Sequence, residues 1–404
     1  MLRRRNVLVA AAAAGAGLAT PWIARAASTP GVSKVSIKIG QTMPYSGPAS
    51  AYGVIGRTQA AVFKMLNDQG GVNGRQVDFV SMDDGYSPPR TVEETRRLVE
   101  SEGVAFLFQG LGTACQTAVR QYLNAKKVPQ LFVSTGADKW GDPEHFHWTM
   151  GWQPSYHTES LIYAKHLQQG APGAKLAVLY QNDDFGKDYL IGLKDGLGPK
   201  YDQVVIKTAS YEVTDATVDS QIVTLQGSGA DALLVVASPK FAAQAIKKVA
   251  QIGWRPAPYY LTYTSASAGA VMIPAGSENG KGIIAGTYVK DPASPQWADD
   301  PGMNEWRSFM KQWMPDGDLK DVYIPYAYAA ALTLKRVLEQ CGDDLSRENI
   351  MHQAANLHDL ELPTLLPGIK VSTSSNNYHP IRQMQLGRWN GASWELFGEV
   401  LDGA

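Results

Sequence analysis

The chain has 404 residues, 44% of them hydrophobic and 19% charged, with a formal charge of −1. Those proportions belong to a globular chain and not a disordered one, and the length suits two domains better than one ordinary core. Without a basic excess, nucleic acid is not an expected partner.

In chain order, residues 1–26 read first as an export signal. Met1-Leu-Arg-Arg-Arg-Asn-Val-Leu is a charged start, an Ala/Gly-rich run follows to Ala19, and Ala24-Arg25-Ala26 supplies a small-x-small cleavage site. Paired arginines before Val-Leu fit twin-arginine export, and the apolar run is too short and Gly-rich to act as an anchor. Cleavage near Ala26 would place the mature chain in the periplasm. It would also take the formal charge from −1 to −5, because Arg3, Arg4, Arg5 and Arg25 leave and no acid does. No later stretch reaches membrane-spanning length, so a soluble mature protein is expected.

Val35–Gly40 alternates as a strand does. After a loop, Ile55–Asp68 has helical spacing through Ala60, Val62, Phe63 and Leu66, closed by Gly70-Gly71. Val77–Met82 is the next strand, Pro88–Glu102 a helix opened by proline, and Val104–Phe108 an apolar run suited to a buried parallel strand. The alternation continues with a helix at Gln116–Lys126 and a strand at Gln130–Ser134. Tyr156–Gln168, Lys187–Gly196, Ser220–Gly227 and Phe241–Ile252 read as helices, and Lys175–Tyr180, Val204–Ser210 and Ala232–Ala237 as the strands between them. Repeated βα units predict an α/β chain with parallel, doubly wound sheets and ligand crevices at the strands' carboxyl ends. Ile381–Trp389 and Ser393–Val400 around Asn390-Gly391 predict a closing β-hairpin with a type I′ turn.

Chemistry-bearing motifs are few. Gly110-Leu-Gly112-Thr113 follows a buried strand and precedes a helix. It lacks the third glycine of a dinucleotide fingerprint, but it suits backbone amides and Thr113 meeting an anion. His145-x-His147 has no adjacent cysteine and no HExxH, which favours a loop over a metal site. Asp83-Asp84 and Asp183-Asp184 follow strands and enter glycine-containing turns, where aspartate caps amides. No GxSxG occurs, so neither an enzyme nor a cofactor is expected. Cys115 and Cys341 could pair outside the cytoplasm or stay as buried thiols. Aromatics cluster in or beside the strand-to-helix loops, among them Tyr45, Tyr52, Trp140, Trp148, Trp152, Tyr156, Phe185 and Tyr263. Together they would suit an apolar small-ligand pocket.

Several stretches carry a resemblance. They are Gly40-Gln-Thr-Met-Pro-Tyr-Ser-Gly-Pro with Tyr52-Gly53, Asn67-Asp-Gln-Gly-Gly-Val-Asn-Gly-Arg, Asp83-Asp-Gly-Tyr-Ser-Pro, Gln181-Asn-Asp-Asp-Phe-Gly-Lys-Asp and Gly229-Ala-Asp. In this order they resemble the type I periplasmic solute-binding proteins of the leucine/isoleucine/valine-binding family, which feed ABC importers. The resemblance implies two Rossmann-like lobes joined by a three-strand hinge that closes on a ligand. Lobe one would comprise 33–149 and 286–363, and lobe two 150–285 and 364–404. It further implies a monomer working with a membrane ABC permease.

By the same resemblance, lobe one's wall would be Tyr45, Ser46 and Tyr52, then Leu111, Gly112 and Thr113, then Ser134, Thr135, Gly136 and Ala137. Lobe two would add Trp152, Phe185, Pro239, Tyr263 and Thr264, and a ligand carboxylate would sit on the amides and hydroxyls of Thr113, Ser134 and Thr135. Family members that bind amino acids hold the α-ammonium with a hydroxyl at the position of Ala137 and an acid near Thr264. Neither stands here, and Phe185 replaces a frequent tyrosine. A buried ammonium without a carboxylate costs several kcal/mol. The expected ligand is therefore an aromatic or other apolar carboxylate, such as a benzoate or hydroxycinnamate. An amino acid, an amide or urea, or a periplasmic sensor role are the alternatives.

Overall fold

A parallel sheet exposes apolar side chains on both faces and buries them only when helices cover each side. The computed structural model, which describes residues 29–402, builds that arrangement twice; the expected export signal lies outside the described residues. The first half contains β1 (Ser36–Met43), β2 (Gln76–Asp83), β3 (Leu107–Phe108), β4 (Gln130–Val133) and β5 (Thr149–Gly151), parallel in the order β2-β1-β3-β4-β5. Between the strands run α1 (Gly53–Asp68), α2 (Pro88–Arg96) and α3 (Thr113–Ala125).

The second half carries α4 (Tyr156–Gly170), β6 (Leu176–Gln181), α5 (Asp184–Leu197), the one-turn α6 (Tyr201–Val204) and β7 (Val205–Tyr211). It continues with α7 (Asp219–Gln226), β8 (Ala232–Val236), α8 (Pro239–Gln251), β9 (Tyr259–Leu261), the one-turn α9 (Ile273–Ala275) and β10 (Ile284–Thr287). Its parallel strands repeat the first sheet's order as β7-β6-β8-β9-β10. The hairpin β11 (Gln383–Trp389) and β12 (Trp394–Asp402) then extends the sheet antiparallel beyond β10. Between β10 and β11 the chain returns to the first half as α10 (Pro301–Trp313), α11 (Tyr323–Cys341) and α12 (Arg347–Ala354), with α11 packed along α1.

Helix boundaries follow from capping chemistry. Ser155 accepts from Thr158 N–H at 3.0 Å to start α4, and Asp300 accepts from Met303 N–H at 2.8 Å ahead of Pro301 at the start of α10. Two expectations are corrected. The helix from Pro88 is α-helical only to Arg96 and widens over Arg97–Ser101 before Glu102 N–H closes on Arg97 O at 2.9 Å. The hairpin closes one residue later than expected, with Asn390 N–H donating to Ser393 O at 3.1 Å around Gly391-Ala392. Asn390 Oδ1 accepts from Ala392 and Ser393 N–H at 2.8 and 2.9 Å, so a side chain shapes the turn.

Three crossings join the halves. The second and third pair with each other: Val289 bridges Leu365, Lys290 N–H donates to Thr364 O and Leu366 N–H to Tyr288 O, both at 2.9 Å. Beside the first crossing, Trp152 lies edge-on to Tyr326 with centroids 5.2 Å apart and donates Nε1–H to Thr333 Oγ1 at 3.0 Å. One apolar cluster runs from Ile37, Phe108 and Leu131 through Trp152 and Tyr288 to Val178 and Leu234, continuous across both sheets. Cys115 in α3 and Cys341 at the end of α11 are both buried and free.

Candidate functional site

Parallel strands deliver their following loops to one edge, and the two sheets turn those edges toward each other. The crevice between them holds about 880 Å³ of space not filled by protein atoms, solvent at its mouth included. From the first half, Tyr52 precedes α1, Tyr86 follows β2, Leu111, Gly112 and Thr113 link β3 to α3, and Ser134 follows β4. Tyr323 and Tyr326 reach in from the start of α11. The opposite wall is Tyr156 at the start of α4, Phe185 in α5, Ser238 before α8, Tyr263 and Thr264 after β9, and Thr287 and Tyr288 at the end of β10. Gln153 closes the side at the first crossing.

The turn into α3 is built for close approach. Gly112 has φ +97°, which side chains rarely adopt, and a Cβ there would stand 2.7 Å from Tyr86 Cε2. The first helical hydrogen bond runs from Gln116 N–H to Gly112 O at 2.8 Å, and no side chain caps the turn. The amides of Thr113, Ala114 and Cys115 thus precede that bond at a helix N-terminus beside the crevice, where an anion is stabilised. Thr113 and Thr135 share a hydroxyl hydrogen bond at 2.6 Å, and Ser134 Oγ lies 2.8 Å from Tyr326 Oη. Tyr326 Oη also reaches Gln109 Oε1 and Gln153 Oε1, at 3.0 and 2.9 Å.

The walls touch through named contacts. Tyr52 and Tyr323 both donate to Thr264 O, at 3.0 and 2.7 Å. Gln181 Nε2 donates to Tyr86 Oη at 3.3 Å, and Lys139 Nζ meets Asp184 Oδ2 at 2.5 Å. Burial pushes Tyr156 up to about 12 and also raises Tyr52, Tyr263 and Tyr288, so these hydroxyls remain neutral donors. Among the described residues that line the crevice there is no Lys, Arg or His, and Asp291 is the one carboxylate.

Of the residues expected from the sequence, Tyr52, Leu111, Gly112, Thr113, Ser134, Phe185, Tyr263 and Thr264 line the crevice together. Thr135 stands one layer behind, under Thr113 and Tyr156. Gly136 is covered by Pro154 O and Tyr263 Oη, each 2.5 Å from where a Cβ would be, and Ala137 is buried with its N–H on Thr135 Oγ1 at 3.3 Å. Tyr45 turns its hydroxyl to Ser81 at 2.6 Å, and exposed Ser46 bonds Asp83. Trp152 belongs to the hinge, and Pro239 begins α8 one residue past Ser238. Asp83 and Asp84 cap the turn after β2, accepting from Tyr45, Ser46 and Gly85 N–H and from Tyr86 N–H.

Sequence reasoning missed Tyr86, Gln153, Ser238, Tyr288, Asp291, Tyr323, Tyr326 and Trp394, and left Tyr156 among the general aromatics. Tyr86 was within reach, since it sits inside the Asp83-Asp-Gly-Tyr-Ser-Pro stretch. Ser238 follows β8 and Trp394 opens β12, while the rest sit at the crossings or on α11, where no local pattern points at a site.

Comparison with known proteins places this geometry in a wider set. The family model for periplasmic binding proteins matches residues 36–393. A Leu/Ile/Val-binding protein homolog 7 from Brucella abortus is 21% identical over 372 residues, covering 87% of this chain and 89% of that protein. A branched-chain amino acid ABC transporter structure from Thermus thermophilus, with bound valine, superposes with a TM-score of 0.81 at 12% identity, covering 92% of this chain and 97% of that one. A solute-binding protein of an ABC transporter from R. palustris, in complex with benzoate, superposes at 0.75 with 20% identity, covering 91% and 98%.

Proposed function

The chain belongs to the periplasmic binding protein family, and from that premise we propose that it is the extracytoplasmic solute-binding component of an ABC importer whose ligand is a small carboxylate with an aromatic or other apolar body. The observation that carries this reading is the charge and ring content of the crevice. Its lining includes Tyr52, Tyr86, Tyr156, Phe185, Tyr263 and Tyr288, with no cationic side chain. Uncapped α3 amides beside the Thr113 and Ser134 hydroxyls can hold a carboxylate without a full counter-charge. Tyrosine faces favour an aromatic body through offset and edge contacts.

An α-amino acid would need a buried carboxylate near that anchor. Glu159 lies behind the wall, where Tyr163, Tyr189 and Tyr263 N–H already occupy it. The ligand would dock on lobe one, residues 33–149 with 286–363. Lobe two, 150–285 with 364–404, would then swing over it about the paired crossings until Tyr52 and Tyr323 meet Thr264 O. The protein would act as a monomer, exported to the periplasm and delivering its ligand to a membrane permease.

A thermal-shift panel on protein freed of ligand by unfolding and refolding tests the reading. It contains benzoate, 4-hydroxybenzoate, p-coumarate, leucine, valine, glutamate, short dicarboxylates, urea and acetamide. A ligand at a hundred times its Kd adds about 2.7 kcal/mol, readily seen as a higher Tm. The expected result is a rise with aromatic acids and none with amino acids. A rise with leucine or valine alone would overturn the ligand assignment and leave the transport role standing.

A further inference from the structure

The first crossing brings one amide side chain to a crevice walled mainly by rings. Gln153 stands between Trp152, which is wholly buried, and Pro154, whose carbonyl accepts from Tyr263 Oη at 2.9 Å. It is 6% exposed and lines the crevice. Its place beside the carboxylate anchor is set by one hydroxyl. Tyr326 Oη lies 2.8 Å from Ser134 Oγ and 2.9 Å from Gln153 Oε1. The serine and the amide therefore stand around one point, two hydrogen-bond lengths apart at most, which the two oxygens of a carboxylate can span.

A chain of buried amides decides which end of Gln153 faces the ligand. Tyr326 has one proton, which burial makes it keep, and two amide oxygens beside it, Gln109 Oε1 at 3.0 Å and Gln153 Oε1 at 2.9 Å. Gln109 is fixed from behind: Nε2 donates to Phe132 O, and Oε1 accepts from Gln59 Nε2 at 3.2 Å. Gln59 in turn accepts from Gln41 Nε2 at 2.6 Å. Gln109 Oε1 thus has a donor without Tyr326, whereas Gln153 Oε1 has no other. The tyrosine proton goes to Gln153 and holds its amide with Nε2 turned away. Among the described residues no acceptor meets Gln153 Nε2, and this nitrogen is not one of the side-chain atoms sealed from solvent. It is a free and reachable donor on the crevice wall.

We infer that Gln153 is a specificity-determining residue, whose Nε2–H donates to one oxygen of the ligand's carboxylate while Ser134 and the α3 amides take the other. Tyr326 is the positioning residue, acting through Gln153 Oε1. Donors on both sides match a carboxylate, which accepts on each oxygen. A carboxamide would turn its own N–H2 against a donor on one side or the other, so the pair rejects the neutral analogue of the same shape. The discrimination needs no cationic side chain, in keeping with a crevice lining that has none. This inference rests on the carboxylate reading above.

Calorimetry at pH 8 on refolded protein tests it with benzoate, 4-hydroxybenzoate and p-coumarate, each against its carboxamide. The wild type should bind at least one acid about tenfold tighter or more than the matching amide, the scale of a hydrogen bond to a charged group. Gln153→Glu keeps an acceptor for Tyr326 and sets a carboxylate where the N–H2 was. It should reverse the preference, weakening the acid about a hundredfold while the amide holds or gains. Gln153→Met removes only the donor, since Tyr326 can turn its proton to Gln109. It should weaken the acid about tenfold and leave the amide unchanged, and it carries the test if Gln153→Glu does not fold. Acids and amides that weaken equally in the folded variants, or not at all, would overturn the role of Gln153 and leave the carboxylate reading intact. A wild type that prefers the amide while still binding the acid would show the Gln153 amide turned the other way, and would overturn the inference alone. Binding by none of the acids would overturn both.

Discussion

Glu159 holds a carboxyl wholly out of water beneath the crevice wall, ringed by the hydroxyls of Tyr163 and Tyr189 and by Tyr263 N–H at 2.9 Å. Burial dominates and pushes it up to about 7 from 4.5, although the hydrogen bonds pull the other way. The folded chain therefore keeps this proton where the unfolded chain has released it. Between pH 4.5 and 7 stability falls as pH rises, by at most about 1.4 kcal/mol per unit for this one group. Asp84, Asp183, Asp188 and Asp321, each raised to about 6 mainly by burial, add to the fall in the lower part of that range. Glu159→Gln mimics the protonated form. Urea denaturation at pH 6 and 7 should show the wild type losing clearly more stability than the variant, which keeps only the loss from the aspartates; equal losses would refute the assignment. At the anchor, Thr113→Ala and Ser134→Ala should each weaken the best carboxylate about three- to tenfold, the worth of one hydrogen bond. Unchanged calorimetric affinity in both would remove these hydroxyls from the anchor.

At the scale of elements, α1 and α11 work as a pair that carries a latch. Tyr52 and Tyr323 stand at their starts with rings 5.1 Å apart, and both hydroxyls end on Thr264 O after β9. Removing both hydroxyls should favour the open arrangement. Small-angle scattering of Tyr52→Phe/Tyr323→Phe without ligand should give a larger radius of gyration than the wild type, and equal radii would mean the latch holds nothing. Much of this architecture is legible from alternation alone: β1, α1, β2, α4, β6 and α8 stand within a few residues of where spacing puts them. α11 is legible only as apolar over Tyr323–Ala331, which is buried all round, and a polar stripe appears only in its second half at Lys335, Arg336, Glu339 and Gln340. Strands β5 and β9 have three residues each, too few for a period to show. The crevice splits along the same line. Tyr52, Thr113, Ser134 and Phe185 follow readable strands, whereas Tyr288 and Asp291 sit at a crossing, Tyr323 and Tyr326 on α11 and Trp394 in the hairpin, where nothing local points at the crevice.

For the molecule as a whole, the continuous apolar cluster matters more than the visual division into halves. It runs through Trp152, Tyr288 and Tyr326 without a polar break, so exposing one half's inner face strips contacts from the other. Calorimetric heating should give one transition whose van't Hoff and calorimetric enthalpies agree; two resolved peaks would show the halves melting separately. The pairing of α1 with α11 has another consequence, for the order in which the chain is made. The helix that completes the first half begins at Tyr323, about 270 residues after the start of the helix it packs on at Gly53. At ribosomal speeds of about 5–20 residues per second, that first half waits roughly fifteen to fifty seconds with its apolar flank uncovered while the entire second half is synthesised. Nascent chains of this protein should therefore be clients of a holding chaperone during that interval.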